Sequence, residues 1–357
     1  MREIRVAVVG VGNCASALIQ GVYYYRNASG EETVPGLLHE GFGRYKVGDV
    51  KFVAAFDIDA RKVGKDLGEA IYSKPNNTNV FCKVPRIGVK VMRGEVLDSI
   101  GKFLKPVVKV NTNDDSVNVA DVLRETEADM VLNYLPVGSD KASEWYAKQA
   151  LEAGCAFVNC MPSFIASTPK WQKEFEKAEL PIAGDDVMSQ IGATVLHKTI
   201  AKLLVDRGVI IKESYQLNIG GDTDFLNMLE EDRLKSKRIS KTSAVQALVP
   251  YKFPLRIGPS DYVDFLKNEK ICYIWLRGRY FGDTPVKIDV KLDVVDSPNS
   301  AGIVIDAIRA TKIALDRRIA GPLISISAYA FQHPPVQAPY ETAKKWVEEF
   351  IEGKRER

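Results

Sequence analysis

The chain has 357 residues, 46% of them hydrophobic and 27% charged, which exceeds one small domain and suits a globular protein with a sizeable core. A net charge of only +3, with bases dispersed among acids, excludes electrostatically driven nucleic-acid binding. No run of about eighteen apolar residues exists to span a membrane. The five cysteines, Cys14, Cys82, Cys155, Cys160 and Cys272, are odd in number and form no CxxC pair. They argue against a disulfide framework or a zinc site and for a reducing, cytoplasmic setting. The start, Met1-Arg-Glu-Ile-Arg, runs into a strand without the apolar stretch of a signal peptide, so the sequon-like Asn27-Ala28-Ser29 carries no meaning.

In chain order, Ile4 to Val9 is a short apolar run ending in glycines, the pattern of a buried parallel strand. Ala15 to Tyr25 follows with Leu18, Ile19 and Val22 at helical spacing. The polar, glycine-rich stretch 27–49 reads as an inserted loop. Lys51 to Phe56 is a second strand, ending at Asp57. Met130 to Leu135 and Ala156 to Cys160 are two more, with helices predicted over Ser143 to Leu151 and Lys170 to Lys177. Strands alternating with helices predict an α/β Rossmann fold, a doubly wound parallel sheet. The pattern then changes. Ile211 to Ile219, Ile271 to Arg279 and Val286 to Val295 read as long strands, the last alternating cleanly, as suits an antiparallel sheet with one buried face. Ala301 to Ile319 reads as a helix returning to the first domain, and Tyr340 to Arg357 as a charged terminal helix. The expected organisation is a dinucleotide-binding domain over 1–194, completed by 306–357, and an α+β domain over 195–305.

Gly10-Val11-Gly12-Asn13-Cys14-Ala15 lies between the first strand and the first helix, where glycines let the backbone approach a pyrophosphate and the helix N-terminus offers free N–H groups. Ala15 stands where a third glycine often sits. Asp57 closes the second strand, where an acid binds ribose hydroxyls, and favours NAD over NADP; Asp59 and Asp66 are nearby substitutes. Asn133-Tyr134-Leu135-Pro136 and Asn159-Cys160-Met161-Pro162 end two further strands at the ligand-binding edge.

Asn218 to Met228 ends a strand on two glycines and opens a helix with Asp/Thr capping. In Lys235 to Lys241, Lys237 and Lys241 are four apart and share a helical face. On composition such a run belongs on a solvated surface; in a cleft it would lower a lysine pKa and cradle phosphate. Lys270 precedes a strand, and Asp296 sits between a strand and a helix, where it can cap the helix or orient a lysine. The three histidines, His39, His197 and His333, lie in unlike contexts and read as structural, so no metal site is expected.

The stretches VGVGNCASALIQGV, TVPGLLHEGF, VAAFDID, YLPVGS, GDDVMSQIGAT, QLNIGGDTDFLNMLE, SKRISKTSAV, IGPSDYV and LDVVDSPNSAGIVIDAIRATKIALDRR resemble the inositol-3-phosphate synthase family, in its short actinobacterial and archaeal form, along almost the whole chain. The resemblance overturns the surface reading of the lysines. It implies conversion of D-glucose 6-phosphate to 1D-myo-inositol 3-phosphate with enzyme-bound NAD recycled, a sugar-phosphate substrate and a homotetramer. It implies that Lys237, Lys241 and Lys270 are catalytic or phosphate-binding, that Asp296 orients the lysine network, and that Ser189, Asp224 and Lys237 lie near the cofactor. Gln332 stands where the family carries a further catalytic lysine, Met188 replaces a lysine and Asp222 an asparagine. These departures motivate an alternative: a relative acting on another sugar phosphate, or a silent paralogue that only binds.

Overall fold

The computed structural model describes residues 3–27 and 34–357; most of the sequon-like triplet and the first part of the inserted loop lie outside them. The chain opens with β1 (Ile4–Val9) and α1 (Asn13–Tyr25), then a two-stranded ribbon, β2 (Gly41–Phe42) and β3 (Tyr45–Lys46), then β4 (Val50–Asp57). It continues through α2 (Leu67–Ala70), β5 (Val91–Arg93), α3 (Val119–Glu125), β6 (Met130–Asn133), α4 (Asp140–Ala153), β7 (Ala156–Asn159), α5 (Pro169–Lys177) and β8 (Pro181–Gly184). Next come α6 (Ala193–Asp206), β9 (Ile210–Gly220), α7 (Thr223–Asn227), α8 (Lys235–Gln246), β10 (Leu255–Tyr262), β11 (Glu269–Tyr280) and β12 (Thr284–Val295). The chain closes with α9 (Asp296–Asp316), β13 (Gly321–Pro322), α10 (Ile324–Ala330) and α11 (Tyr340–Ile351).

Seven strands form one parallel sheet in the order β13-β8-β7-β6-β1-β4-β5. β1 is apolar on both faces because each face meets a different core. Ile4, Val6 and Val8 pack with α1, α9 and α11, while Ala7 and Val9 pack with α3, α4 and α5. The strand order reverses at β1, with β4 on one side and β6 on the other, and a crevice opens there at the carboxyl ends.

The second sheet runs β10-β9-β11-β12. It is mixed rather than wholly antiparallel, because β10 pairs parallel to β9 after the crossover through α7 and α8. One face packs on α6 and α8 through Ile211, Cys272, Ile274 and Leu276. The alternating β12 residues from Val286 to Leu292 are only half-buried, as fits an edge strand. The division expected at 305/306 falls inside α9, a continuous helix buried against the first sheet's core almost from its start; we therefore group all of α9 with the first sheet. No helix among the described residues is long and apolar enough to cross a membrane.

The later part of the inserted loop is fastened by charge. His39 reaches Asp306 of α9 through Nδ1 and Glu348 of α11 through Nε2, at 3.1 Å in the second case. The fully buried Arg309 also pairs with Asp306, and it donates to the carbonyls of His39 and Glu40 at 2.7 and 3.0 Å. Burial works against a charged His39, but Asp306 and then Glu348 outweigh it and hold its pKa above the ordinary value. A raised pKa in the folded state stabilises most below the unfolded value of about 6.5 and loses that contribution as pH rises through the folded pKa. Chemical unfolding of His39→Ala against wild type should therefore show a loss of about 2 kcal/mol at about pH 6 that shrinks by about pH 9. An equal loss at both values would mean that packing, not charge, holds the loop.

Candidate active site

β1 ends at the tight turn that starts the crevice. Gly10 has φ +87°, and a Cβ there would stand 2.6 Å from the Tyr134 carbonyl oxygen, so a side chain is excluded. Gly12 precedes the first turn of α1, and a Cβ on it would meet nothing within 4 Å, so the loop's other side is open to the cleft. No acid occupies the first turn of α1, and its end is free to receive an anion. Asp57 closes β4 facing this turn. Its carboxylate accepts from the N–H groups of Val11, Ile58 and Asp59 at 2.7–2.9 Å, with Lys62 Nζ at 3.6 Å. A carboxylate offers about four acceptor positions, so one remains for a hydroxyl. An open glycine cradle, a free helix N-terminus and a fixed acid at the next strand's end fit a dinucleotide.

Gly10, Gly12, Asn13, Cys14 and Asp57 line the cleft, as do Ser189 and Asp224. Two expected residues do not. Ala15 is wholly buried and packs into the core beneath the loop. Asp66 caps α2, and the N–H groups of Gly68, Ile87 and Gly88 occupy its carboxylate at 2.7–2.9 Å, outside the lining. Asn13 lines the cleft, but its amide is spent on Asn77 and Thr78, tying the first sheet to the loop that reaches Gly221 and Asn268.

The lysines come from the second sheet's side of the same cleft. Lys237 and Lys241 project from α8 and Lys270 from β11, and all three line it with Asp296. Lys270 Nζ donates to Asp296 at 3.0 Å. Asp296 is the first residue of α9 and faces Lys270 rather than capping its helix. Lys237 Nζ lies 3.6 Å from Asp186 and 3.8 Å from Asp224. Burial opposes both of these charges, but Asp296 holds Lys270, and Asp186, Asp224 and Asp296 hold Lys237, above the ordinary range. Burial would lift Asp296, yet Lys270, and behind it Lys241 and Lys237, pull it below the usual carboxylate range. Lys241 has no carboxylate within ion-pair reach among the described residues, and burial, then Lys270 and Lys237, push it down to about 7. The cleft therefore holds two fixed cations and one amine poised near neutrality.

Other groups tune this balance. Asp222 caps α7, accepting from the N–H groups of Asp224 and Phe225; burial, then Asp224 and Asp296, lift it to about 7. Burial and the same acid cluster push the Cys14 thiol up to about 12, so it stays neutral. Gln332 lines the cleft with both ends of its amide bonded, Oε1 to the Thr194 hydroxyl at 2.7 Å and Nε2 to the Val187 carbonyl at 3.2 Å. Met188 is buried in the same wall.

Sequence reasoning missed Asp186, Asn268, Thr194 and Lys62. Asp186 lay inside the GDDVMSQ stretch; it also accepts from Ser240 on α8 at 2.5 Å. Asn268 is a buried hub that joins Asp222, Ser297 and Thr78, and nothing in its local sequence marks it. Asn133 and Asn159, expected at the pocket, instead build a buried amide ladder from β6 through β7 to Asp185, which burial lifts to about 6. Their neighbours Tyr134, Leu135, Cys160 and Met161 line the cleft. The histidines stay apart: His197 bonds Ser214 beneath the second sheet and His333 stacks on Phe164.

Taken together, a Rossmann crevice set against buried lysines defines an enzyme-type site for an anionic small molecule. A sequence profile of myo-inositol-1-phosphate synthase matches residues 192–297, the segment carrying all three lysines and Asp296. The chain is 53% identical over 358 residues to the inositol-3-phosphate synthase of Mycolicibacterium smegmatis, covering 98% of each chain. It superposes on the crystal structure of Ari2 with a TM-score of 0.79 at 34% identity, covering 98% of this chain and 99% of that one. A myo-inositol-1-phosphate synthase-related protein from Thermotoga maritima shares the fold, with a TM-score of 0.83 at 23% identity over 98% of both chains. The chain belongs to the inositol-3-phosphate synthase family.

The lysine balance predicts a titration. NMR of protein labelled at lysine Cε should show two depressed midpoints, that of Lys198, lowered by burial to about 8, and that of Lys241, near 7 and identified by its loss in Lys241→Met. Lys270→Met should move the Lys241 midpoint upward, because the variant removes a neighbouring cation and releases Asp296 toward Lys241. A Lys241 midpoint in the ordinary lysine range in the wild type would refute the assignment.

Proposed function

We propose that this chain converts D-glucose 6-phosphate to 1D-myo-inositol 3-phosphate with NAD held in the crevice. The observation that carries this reading is one cleft joining a dinucleotide loop to lysines divided between charged and near-neutral states. When bound, NAD would supply reversible hydride exchange at carbon 5, oxidation before ring closure and reduction after it, with no net redox change. Gly10, Gly12 and the N-terminus of α1 would hold its pyrophosphate, and Asp57 its ribose. Lys241, neutral above about pH 7, takes the proton of the carbon 5 hydroxyl. Lys237 and Lys270, kept charged by Asp186 and Asp296, stabilise the enolate and the alkoxides that follow. Loss of a carbon 6 proton to a phosphate oxygen of the substrate gives the enolate; its carbon 6 then attacks the carbon 1 aldehyde of the open-chain sugar, and the aldehyde oxygen takes up a proton as the ring closes. The substrate phosphate suits the N-terminus of α6, where Gly192, Ala193 and Thr194 face the cleft with no acid in the first turn.

Gln332 supports a second reading, action on a different sugar phosphate, because a neutral amide bonded at both its oxygen and its nitrogen stands where a cation is expected. A phosphorus NMR time course with glucose 6-phosphate and sub-stoichiometric NAD separates the two. Many turnovers of inositol 3-phosphate without NADH build-up are expected, and Lys237→Ala should slow them at least ~100-fold while remaining folded. No product despite bound NAD would favour the second reading, and wild-type rates in Lys237→Ala would remove the lysine mechanism.

The five free cysteines suit a cytoplasmic setting. We also infer a homotetramer, with the open face of the second sheet as one of its interfaces. Tyr215, Leu217 and Tyr273 are each about 40% exposed there, and Tyr215 stacks on Trp275 with ring centroids 5.3 Å apart. Face-to-face packing of two copies would cover this apolar patch. Sedimentation should give a tetramer, and Leu217→Asp should dissociate it to smaller species; a monomeric wild type would refute the assembly.

A further inference from the structure

The segment 94–111 leaves and rejoins the fold at one place. The Gly94 N–H donates to the Asp57 carbonyl at 3.0 Å and the Asn111 N–H to the Ile58 carbonyl at 2.8 Å. Its ends are thus held side by side at the carboxyl end of β4. Its inner side, with Glu95, Ser99, Ile100, Leu104 and Val108, walls the cleft at the Asp57 end. Its tip is fastened twice. On the first-sheet side, the Asp98 carboxylate accepts from the N–H groups of Lys141 and Ala142 at the start of α4, at 2.8 and 2.9 Å. On the other side, Arg233 Nη2 donates to the Asp98 carbonyl at 2.9 Å, and Glu230 Oε2 accepts from the Lys102 N–H at 2.6 Å. Arg233 Nε also donates to the Val137 carbonyl at 3.0 Å, which Asn227 shares at 2.9 Å.

The side chain of Arg233 threads between two glycines. A Cβ on Gly101 would stand 2.8 Å from Arg233 Cδ and 2.4 Å from Glu230 Oε2, and one on Gly138 would stand 2.7 Å from Arg233 Cβ. Both loops are thus bare of side chains where this arginine passes. Glu230 and Arg233 lie between α7 and α8, four residues before Lys237 in the case of Arg233.

We propose that Glu230 and Arg233 form a clasp that keeps the 94–111 loop shut over the Asp57 end of the crevice, and so sets how long the dinucleotide stays bound. They are positioning residues, acting through the loop. The proposal rests on the cofactor reading above. An isomerase that borrows and returns one hydride within a single cycle fails whenever the reduced cofactor leaves midway, so slow release has a direct chemical purpose. The clasp also joins cofactor retention to α8, since the segment that holds the loop leads into the helix carrying Lys237 and Lys241.

The test is the NADH off-rate of the purified full chain without sugar, read as the loss of bound-NADH fluorescence on adding excess NAD. Arg233→Ala should release cofactor about tenfold faster or more, and Arg233→Lys, which keeps one donor, should fall between. Gly101→Ala should do the same by wedging the clasp apart with both charged residues intact, and it carries the test if Arg233→Ala does not fold. During turnover these variants should leak NADH, visible as absorbance growth that the wild type lacks. Folded variants with the wild-type off-rate would overturn the clasp while leaving the cofactor reading intact. A wild type that binds no NAD would overturn both.

Discussion

The site depends on placing three lysines beside Asp186, Asp222, Asp224 and Asp296 in one cleft without leaving any charge uncompensated. Burial of an unpaired ammonium or carboxylate costs several kcal/mol, so the group either finds a partner or becomes neutral. Both outcomes occur here. Lys270 and Lys237 are held charged by carboxylates at 3.0 and 3.6 Å. Lys241, one turn further along α8 than Lys237, is left facing two cations and drops to about 7. Asp222 rises to about 7 for the mirror reason, in a cluster of acids. Two lysines four residues apart on one helix thus acquire opposite properties, which suits the proposed pairing of a base with an electrostatic stabiliser.

This arrangement explains the topology around it. The carboxylates come from three sources: Asp186 from the loop after β8, Asp222 and Asp224 from the start of α7, and Asp296 from the start of α9. The lysines come from α8 and β11. The cleft lies where the carboxyl ends of the first sheet meet the strand ends of the second, and Asn13, Asn77 and Asn268 stitch that seam with neutral amides. Amides suit the task because they satisfy both donors and acceptors without disturbing the charge balance.

The parallel sheet was legible because its central strands are short apolar runs buried on both faces, with β1 running into Gly10 and β4 ending in Asp57. The lysine cluster was not legible from spacing. Lys237 and Lys241 at four-residue separation look like a solvated face, and only long matching stretches moved them inward. Asp57 was readable from its place at a strand end, whereas Asp66, an acid in an equally polar setting, turned out to hold a loop through three backbone N–H groups. Asp186 and Asn268 escaped notice because their partners, Ser240, Lys237, Asp222 and Ser297, are between 29 and 54 residues away along the chain. The parallel pairing of β10 with β9 was likewise invisible, since alternation reports a buried face but not strand direction.

α9 connects these themes. Its first residue holds Lys270, and ten residues later, about 15 Å along the axis, Asp306 and Arg309 grip the loop around His39. The helix is buried in the first sheet's core while its tip completes the second sheet's chemistry. The two halves are therefore not exchangeable modules. A chimera that takes its second sheet from a relative must keep a residue at 296 matched to the incoming lysine while retaining the host's own helix behind it. Recombination within this fold is constrained at a single junction, between Val295 and Asp296, where one peptide bond separates the edge strand of the second sheet from the helix buried in the first.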